Sequence, residues 1–109
     1  MLWSYIGTKN GLADWFADDV QNEEILFTFF WNKSSQQAHQ IAVRSGSYIR
    51  FHWLDDEDEK SFFELRISSS ELTGATMLVI TDFAYPDEMA DSRGLWDHQI
   101  ETLRRKLGV

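Results

Sequence analysis

Five consecutive carboxylates, Asp55-Asp56-Glu57-Asp58-Glu59, form the densest run of chemically active side chains in this 109-residue chain. Such a run invites a calcium ion, but it lacks the glycine and the spaced ligands of an EF-hand loop. Neighbouring carboxylates in a hairpin diverge and repel, so the run reads as a solvated turn that deters edge pairing. Three histidines, His39, His52 and His98, are scattered without metal-ligand spacing. Only His39 falls, by strand parity, on the face shared with Ile41 and Val43, where it could orient a ligand or exchange a proton near neutrality. Asp82 ends a strand and could face inward, yet one carboxylate is not a mechanism. Asp18-Asp19 follows Trp15-Phe16 and reads as a polar loop, or as the mouth of a cavity. No nucleophile-base pattern, G-x-S-x-G motif or glycine-rich phosphate loop is present, so the chain is expected not to be an enzyme. No metal or cofactor is implied.

Charge narrows the partners. A net charge of −8 disfavours nucleic acid and anionic membrane surfaces, because neutralised phosphates are what such binding gains from. The single basic cluster, Arg104-Arg105-Lys106, falls in the last turn of a C-terminal helix, where cations complement the helix dipole. Cysteine is absent, which removes disulfides and thiol chemistry and suits a reducing compartment. The start has neither a basic n-region nor a long apolar stretch, and no run nears the roughly 20 residues of a membrane span. A cytoplasmic protein is expected.

The elements that must carry these residues are legible from periodicity. Leu2 to Ile6 reads as the tail of a helix closed by Gly7, and Gly11 to Phe16 as a second helix capped by Asn10. Ile25, Phe27, Phe29 and Trp31 then alternate as a strand with a buried odd face. Strands at Gln37 to Arg44, Tyr48 to Leu54, Ser61 to Ile67 and Thr76 to Phe83 follow, separated by short polar turns. Trp96, Ile100, Leu103 and Leu107 form one helical stripe, opened near Pro86 and closed by Gly108. Gly94 inside that helix implies a close packing contact. Five strands in a meander with one long covering helix make a single α+β domain over 1–109. Five Trp and eight Phe supply large rings that either fill its core or line a cavity.

Leu12-Ala13-Asp14-Trp15-Phe16, Phe27-x-Phe29-x-Trp31, Phe51-x-Trp53, Phe63-x-Leu65-x-Ile67 and Trp96, taken in order, resemble the START-like superfamily. The nearest branch in appearance is that of the activators of the heat-shock-protein ATPase. The resemblance implies a helix-grip fold, a curved antiparallel sheet wrapped around the long C-terminal helix. It also implies that one N-terminal strand is absent, since Met1 falls inside what looks like the first helix. The sheet would then carry an unpaired edge, explained by a start upstream of Met1 or by a partner chain, including a homodimer.

START-like proteins hold a hydrophobic cavity between sheet and helix. Its candidate lining here is Trp15, Phe29, Trp31, His39, Ile41, Phe51, Trp53, Phe63, Leu65, Trp96 and Ile100. The expected function is binding of a small hydrophobic or amphipathic molecule, a lipid among them. Two other readings follow from the same resemblance: a co-chaperone or protein-interaction module, and an enzyme acting on a hydrophobic substrate. Fold alone does not choose among the three.

Overall fold

The computed structural model describes residues 2–108. Two short helices, α1 (Leu2–Ile6) and α2 (Lys9–Trp15), lead into strands β1 (Asp19–Glu23), β2 (Leu26–Trp31), β3 (Ser34–Arg44), β4 (Tyr48–Trp53), β5 (Phe63–Ser69) and β6 (Thr76–Thr81). A turn of 3-10 helix at Pro86–Glu88 then opens α3 (Met89–Leu107), 19 residues long. The strands pair in chain order, each antiparallel to the next, so the sheet is a six-stranded meander with β1 and β6 at its edges. With α3 over its inner face, this curved sheet makes the helix-grip arrangement.

The sheet has six strands, not five, because β1 escapes a periodicity search. Of its residues Asp-Val-Gln-Asn-Glu, only Val20 is buried, and one apolar side chain makes no pattern. Its pairing with β2 brings Val20 opposite Phe29 and holds it there. Asp19 is therefore the first residue of an edge strand rather than part of a loop, and the Asp18 N–H donates to the Phe30 carbonyl at 2.8 Å. Ile25 drops out of the buried face of β2 because it lies in the β1–β2 turn, 52% exposed.

Helix α2 starts earlier than expected. Thr8, not Asn10, is its cap: the Thr8 hydroxyl accepts the Gly11 N–H at 3.0 Å and donates to the Ser4 carbonyl at 2.7 Å. Gly11 has its own reason to be glycine, since a Cβ there would meet the Ser4 oxygen at 1.8 Å. Helix α1 thus lies directly against α2, and the Trp15 indole N–H fastens the two by donating to the Tyr5 carbonyl at 2.8 Å. Gly94, in contrast, faces open space and serves no packing contact. Gly108 closes α3 at φ 79°, its N–H shared between the Arg104 and Arg105 carbonyls. The position of Met1, on which the absence of a first strand was argued, lies outside the described residues.

The core is largely aromatic. Phe29, Phe51, Phe63, Ile49 and Leu65 point inward from the sheet and, with Ile6 and Leu12 from the helices, are shut off from solvent. Leu103 is the buried centre of the α3 stripe, with Trp96 and Leu107 packed against the same cluster. Phe51 stacks on Phe63 with ring centroids 5.1 Å apart, and Phe27 meets Phe51 edge-on at 5.0 Å. These rings fill one another's gaps, so the centre of the sheet–helix layer is a packed core.

Candidate functional site

The distinctive site lies at the end of the sheet where α2 stops. Phe16 caps α2, and its ring sits at the meeting point of three elements. Its centroid is 5.1 Å from Phe29, 5.5 Å from Phe63, 5.8 Å from Trp31 and 5.6 Å from Trp96. Its carbonyl is an end-of-helix acceptor that needs partners from elsewhere. Trp31 supplies one, its indole N–H donating at 3.0 Å, and Gln99 on α3 supplies the second through Nε2 at 2.9 Å. One residue thus anchors β2 and α3 to the same point.

Beside this anchor opens a cleft of about 340 Å³, walled by Phe16, Trp31, Trp53, Trp96 and Leu95 and edged by Gln36, Asp82, Ser92 and Gln99. Asp82, just beyond β6, accepts the Trp96 indole N–H at 2.9 Å and the Phe83 N–H at 2.8 Å through its two carboxylate oxygens. This pins the Trp96 ring between the aromatic cleft and a second, more polar groove of about 620 Å³. The second groove runs between β6 and α3 past Leu78, Ile80, Arg93, Asp97 and Ile100.

The structure divides the eleven candidate lining residues into four groups. Trp31, Trp53 and Trp96 are half-buried and face the aromatic cleft, while Ile100 faces the second groove. Trp15, Phe29, Phe51, Phe63 and Leu65 are buried in the packed core. His39 and Ile41 do not point inward, and the reason is a bulge. The β3–β4 register slips between Gln40 and Ala42, so Ala38 and Gln40 face in with Trp53 and Phe51, and His39 pairs with His52 on the outer face. Ile41 is the extra residue of the bulge and is 51% exposed. Phe16, Gln36, Ser92, Leu95 and Gln99 were not singled out from the sequence. Only the Trp15-Phe16 pair before a polar stretch hinted at a helix end that needed partners.

The outer face carries its own charge cluster. Glu64 is buried beneath Arg50 and Arg66, which donate to its oxygens at 2.7 Å and 3.1 Å. Arg66, hydrogen-bonded to Glu64, together with Arg50 holds the Glu64 carboxyl below its ordinary range, and Glu64 in turn raises Arg66. Arg50 lies over the Phe62 ring at 4.4 Å and Arg66 over Tyr48 at 4.3 Å, so both cations are also held by aromatic faces. In the acidic turn, Asp56 accepts the Ser61 hydroxyl and the Asp58 N–H, which lowers its pKa. Asp58 likewise accepts the Lys60 N–H, so these carboxylates brace their own hairpin. Among the described residues, no group of three or more His, Cys, Asp or Glu is placed to hold a metal ion, and no helix is long and apolar enough to cross a membrane.

Comparison with known families gives one decisive result: the model of the START-like superfamily domain matches residues 1–109. The chain belongs to the START-like superfamily. A Bacteroides fragilis protein solved by solution NMR is 50% identical to this START-like domain, with a TM-score of 0.63. The match covers 97% of this chain and 79% of that one. No curated protein matches. Superfamily membership accounts for the sheet, the gripping helix and the apolar interface between them. In this chain the interface opens beside Phe16, Trp31, Trp53 and Trp96.

Proposed function

We propose that this START-like domain is a non-catalytic binding module that takes a small, largely hydrophobic molecule into the cleft between Phe16, Trp31, Trp53 and Trp96. The observation that carries this reading is the cleft itself: an apolar, concave wall of rings edged by a few polar groups. Burying apolar ligand surface there would contribute roughly 25 cal/mol per Å² before the costs of association. The hydrogen bond to Asp82 fixes the Trp96 ring as one wall of the cleft, which limits the ordering that a ligand must supply.

The test is a fluorescence titration with the neutral solvatochromic dye Nile red. Saturable one-to-one binding is expected for the unaltered chain, and Ser92→Trp, which places a large ring in the cleft, is expected to remove it. His39→Ala, on the outer face, is expected to bind as before. Dye uptake that survives Ser92→Trp would refute the assignment of the site.

A second reading, a protein-interaction module of the kind the heat-shock ATPase activators represent, has one specific support. Phe83, Tyr85, Met89 and Leu95, close together in sequence from the end of β6 into α3, are all exposed. Under that reading Tyr85→Ser would abolish partner capture while Ser92→Trp left it intact.

A further inference from the structure

The cleft edge offers both hydrogen-bond donors and acceptors, but its charge is of one sign. The Trp31 N–H is committed to the Phe16 carbonyl and the Trp96 N–H to Asp82. The Gln99 amide donates to the Phe16 carbonyl, and the Gln36 amide donates to Asp55 at 3.4 Å. Each glutamine therefore retains its carbonyl oxygen and its second amide N–H. The Trp53 indole N–H and the Ser92 hydroxyl are further donors without a partner among the described residues.

Charge is what discriminates. Among the described lining residues the one ionisable group is the Asp82 carboxylate; no Lys, Arg or His borders the cleft. Asp55 stands behind Gln36. The positive end of the α3 dipole lies close to Ser92, but Asp87, Glu88 and Asp91 occupy that turn and offset it. The four aromatic walls present ring faces and edges to whatever enters, and ring faces attract cations. The chain as a whole is at −8, which draws cations toward it.

We propose that the cleft is selective for an organic ammonium ion carried on an apolar body, with the ammonium hydrogen-bonded to Asp82 and set against the Trp96 and Trp53 rings. A carboxylate of the same shape would meet the Asp82 carboxylate with no cation among the described lining residues to offset it, and would be rejected. This inference rests on the cleft being a ligand site, as proposed above, and adds the chemistry of the head group.

Three probes of equal length separate the two ideas: octylammonium, 1-octanol and octanoate, each titrated against tryptophan emission and checked by calorimetry at low and high salt. Octylammonium is expected to bind about tenfold more tightly than 1-octanol, the advantage of one ion pair with cation–π support, and octanoate weakest of all. In Asp82→Asn, which keeps an acceptor for the Trp96 N–H, most of the preference for octylammonium over 1-octanol is expected to be lost, the aromatic rings retaining the remainder. Equal affinity for octylammonium and 1-octanol would overturn the cation selectivity yet leave the cleft a ligand site. Tighter binding of octanoate would overturn it outright. Binding of none of the three would overturn both the cleft and the selectivity.

Discussion

Phe16→Ala is the substitution most informative about how this domain is held together. The ring is 4% exposed and lies within 5.1–5.8 Å of four other aromatic rings drawn from β2, β5 and α3. Truncating a buried Phe removes its transfer free energy and leaves a cavity, together about 3–5 kcal/mol. A domain of this size has about 5–15 kcal/mol in all, so the variant would retain only part of its stability. The backbone carbonyl that receives Trp31 and Gln99 is untouched by the change, so the loss belongs to packing. With a urea m-value of about 2 kcal/mol/M, the midpoint should fall by roughly 2 M. Phe16→Leu, which keeps most of the volume but not the ring pairs, should cost about 1–2 kcal/mol. Equilibrium urea unfolding followed by tryptophan emission reads both. A loss below about 1 kcal/mol for Phe16→Ala would refute the claim that this residue couples the end of α2 to the sheet and α3.

Two further outcomes are expected. Gly11→Ala, which in an open helix would stabilise by about 1 kcal/mol, should instead destabilise by several, because the new Cβ meets the Ser4 carbonyl and the Tyr5 Cα; a thermal melt in which the variant is as stable as the parent would show that α1 can move away at no cost. Glu64 has its pKa depressed in the folded chain, so its contribution is complete above the ordinary value of 4.5 and is lost as pH falls through the lower folded value. Glu64→Gln should cost about 1 kcal/mol at pH 7, the half-exposed arginines keeping it well below a fully buried pair. That cost should shrink when the urea titration is repeated below pH 4.5, and a cost independent of pH would contradict the pairing.

Strands β2, β4 and β5 and helix α3 were legible because their patterns are redundant. Phe27, Phe29 and Trp31 alternate on one face, as do Ile49, Phe51 and Trp53, and α3 repeats its stripe from Trp96 to Leu107. A single misplaced residue does not disturb such a run. β1 was hidden because Val20 is its only buried residue, and β3 was misread because its parity changes partway along. A bulge leaves no mark on composition, yet it moved His39 from the inner face to a position opposite His52. Strand parity is a local rule. It holds only between irregularities, and those are set by the neighbouring strand.

The cleft was less legible than the fold for a related reason. An aromatic residue on an inward face can be core or lining, and sequence alone carries no signal for which. The outcome depends on whether neighbouring rings reach one another. Phe29, Phe51 and Phe63 lie on the inner faces of β2, β4 and β5 and pair with one another, directly or through Trp53, so they close the centre. One step further along the strands, Trp31 and Trp53 are 6.3 Å apart and tilted, and α3 answers them with the long side chain of Trp96, held back by Asp82. The hydrogen bond from the Trp96 indole to Asp82 holds that ring at the cleft wall, between the aromatic cleft and the groove along β6. The polar residues that complete the edge, Gln36, Ser92 and Gln99, sit singly among surface positions and show their direction only once the backbone is folded. The cleft therefore arises from a polar clasp at the margin of an aromatic core, and the same clasp places the one ionisable group among its described lining residues, Asp82, against the Trp96 ring.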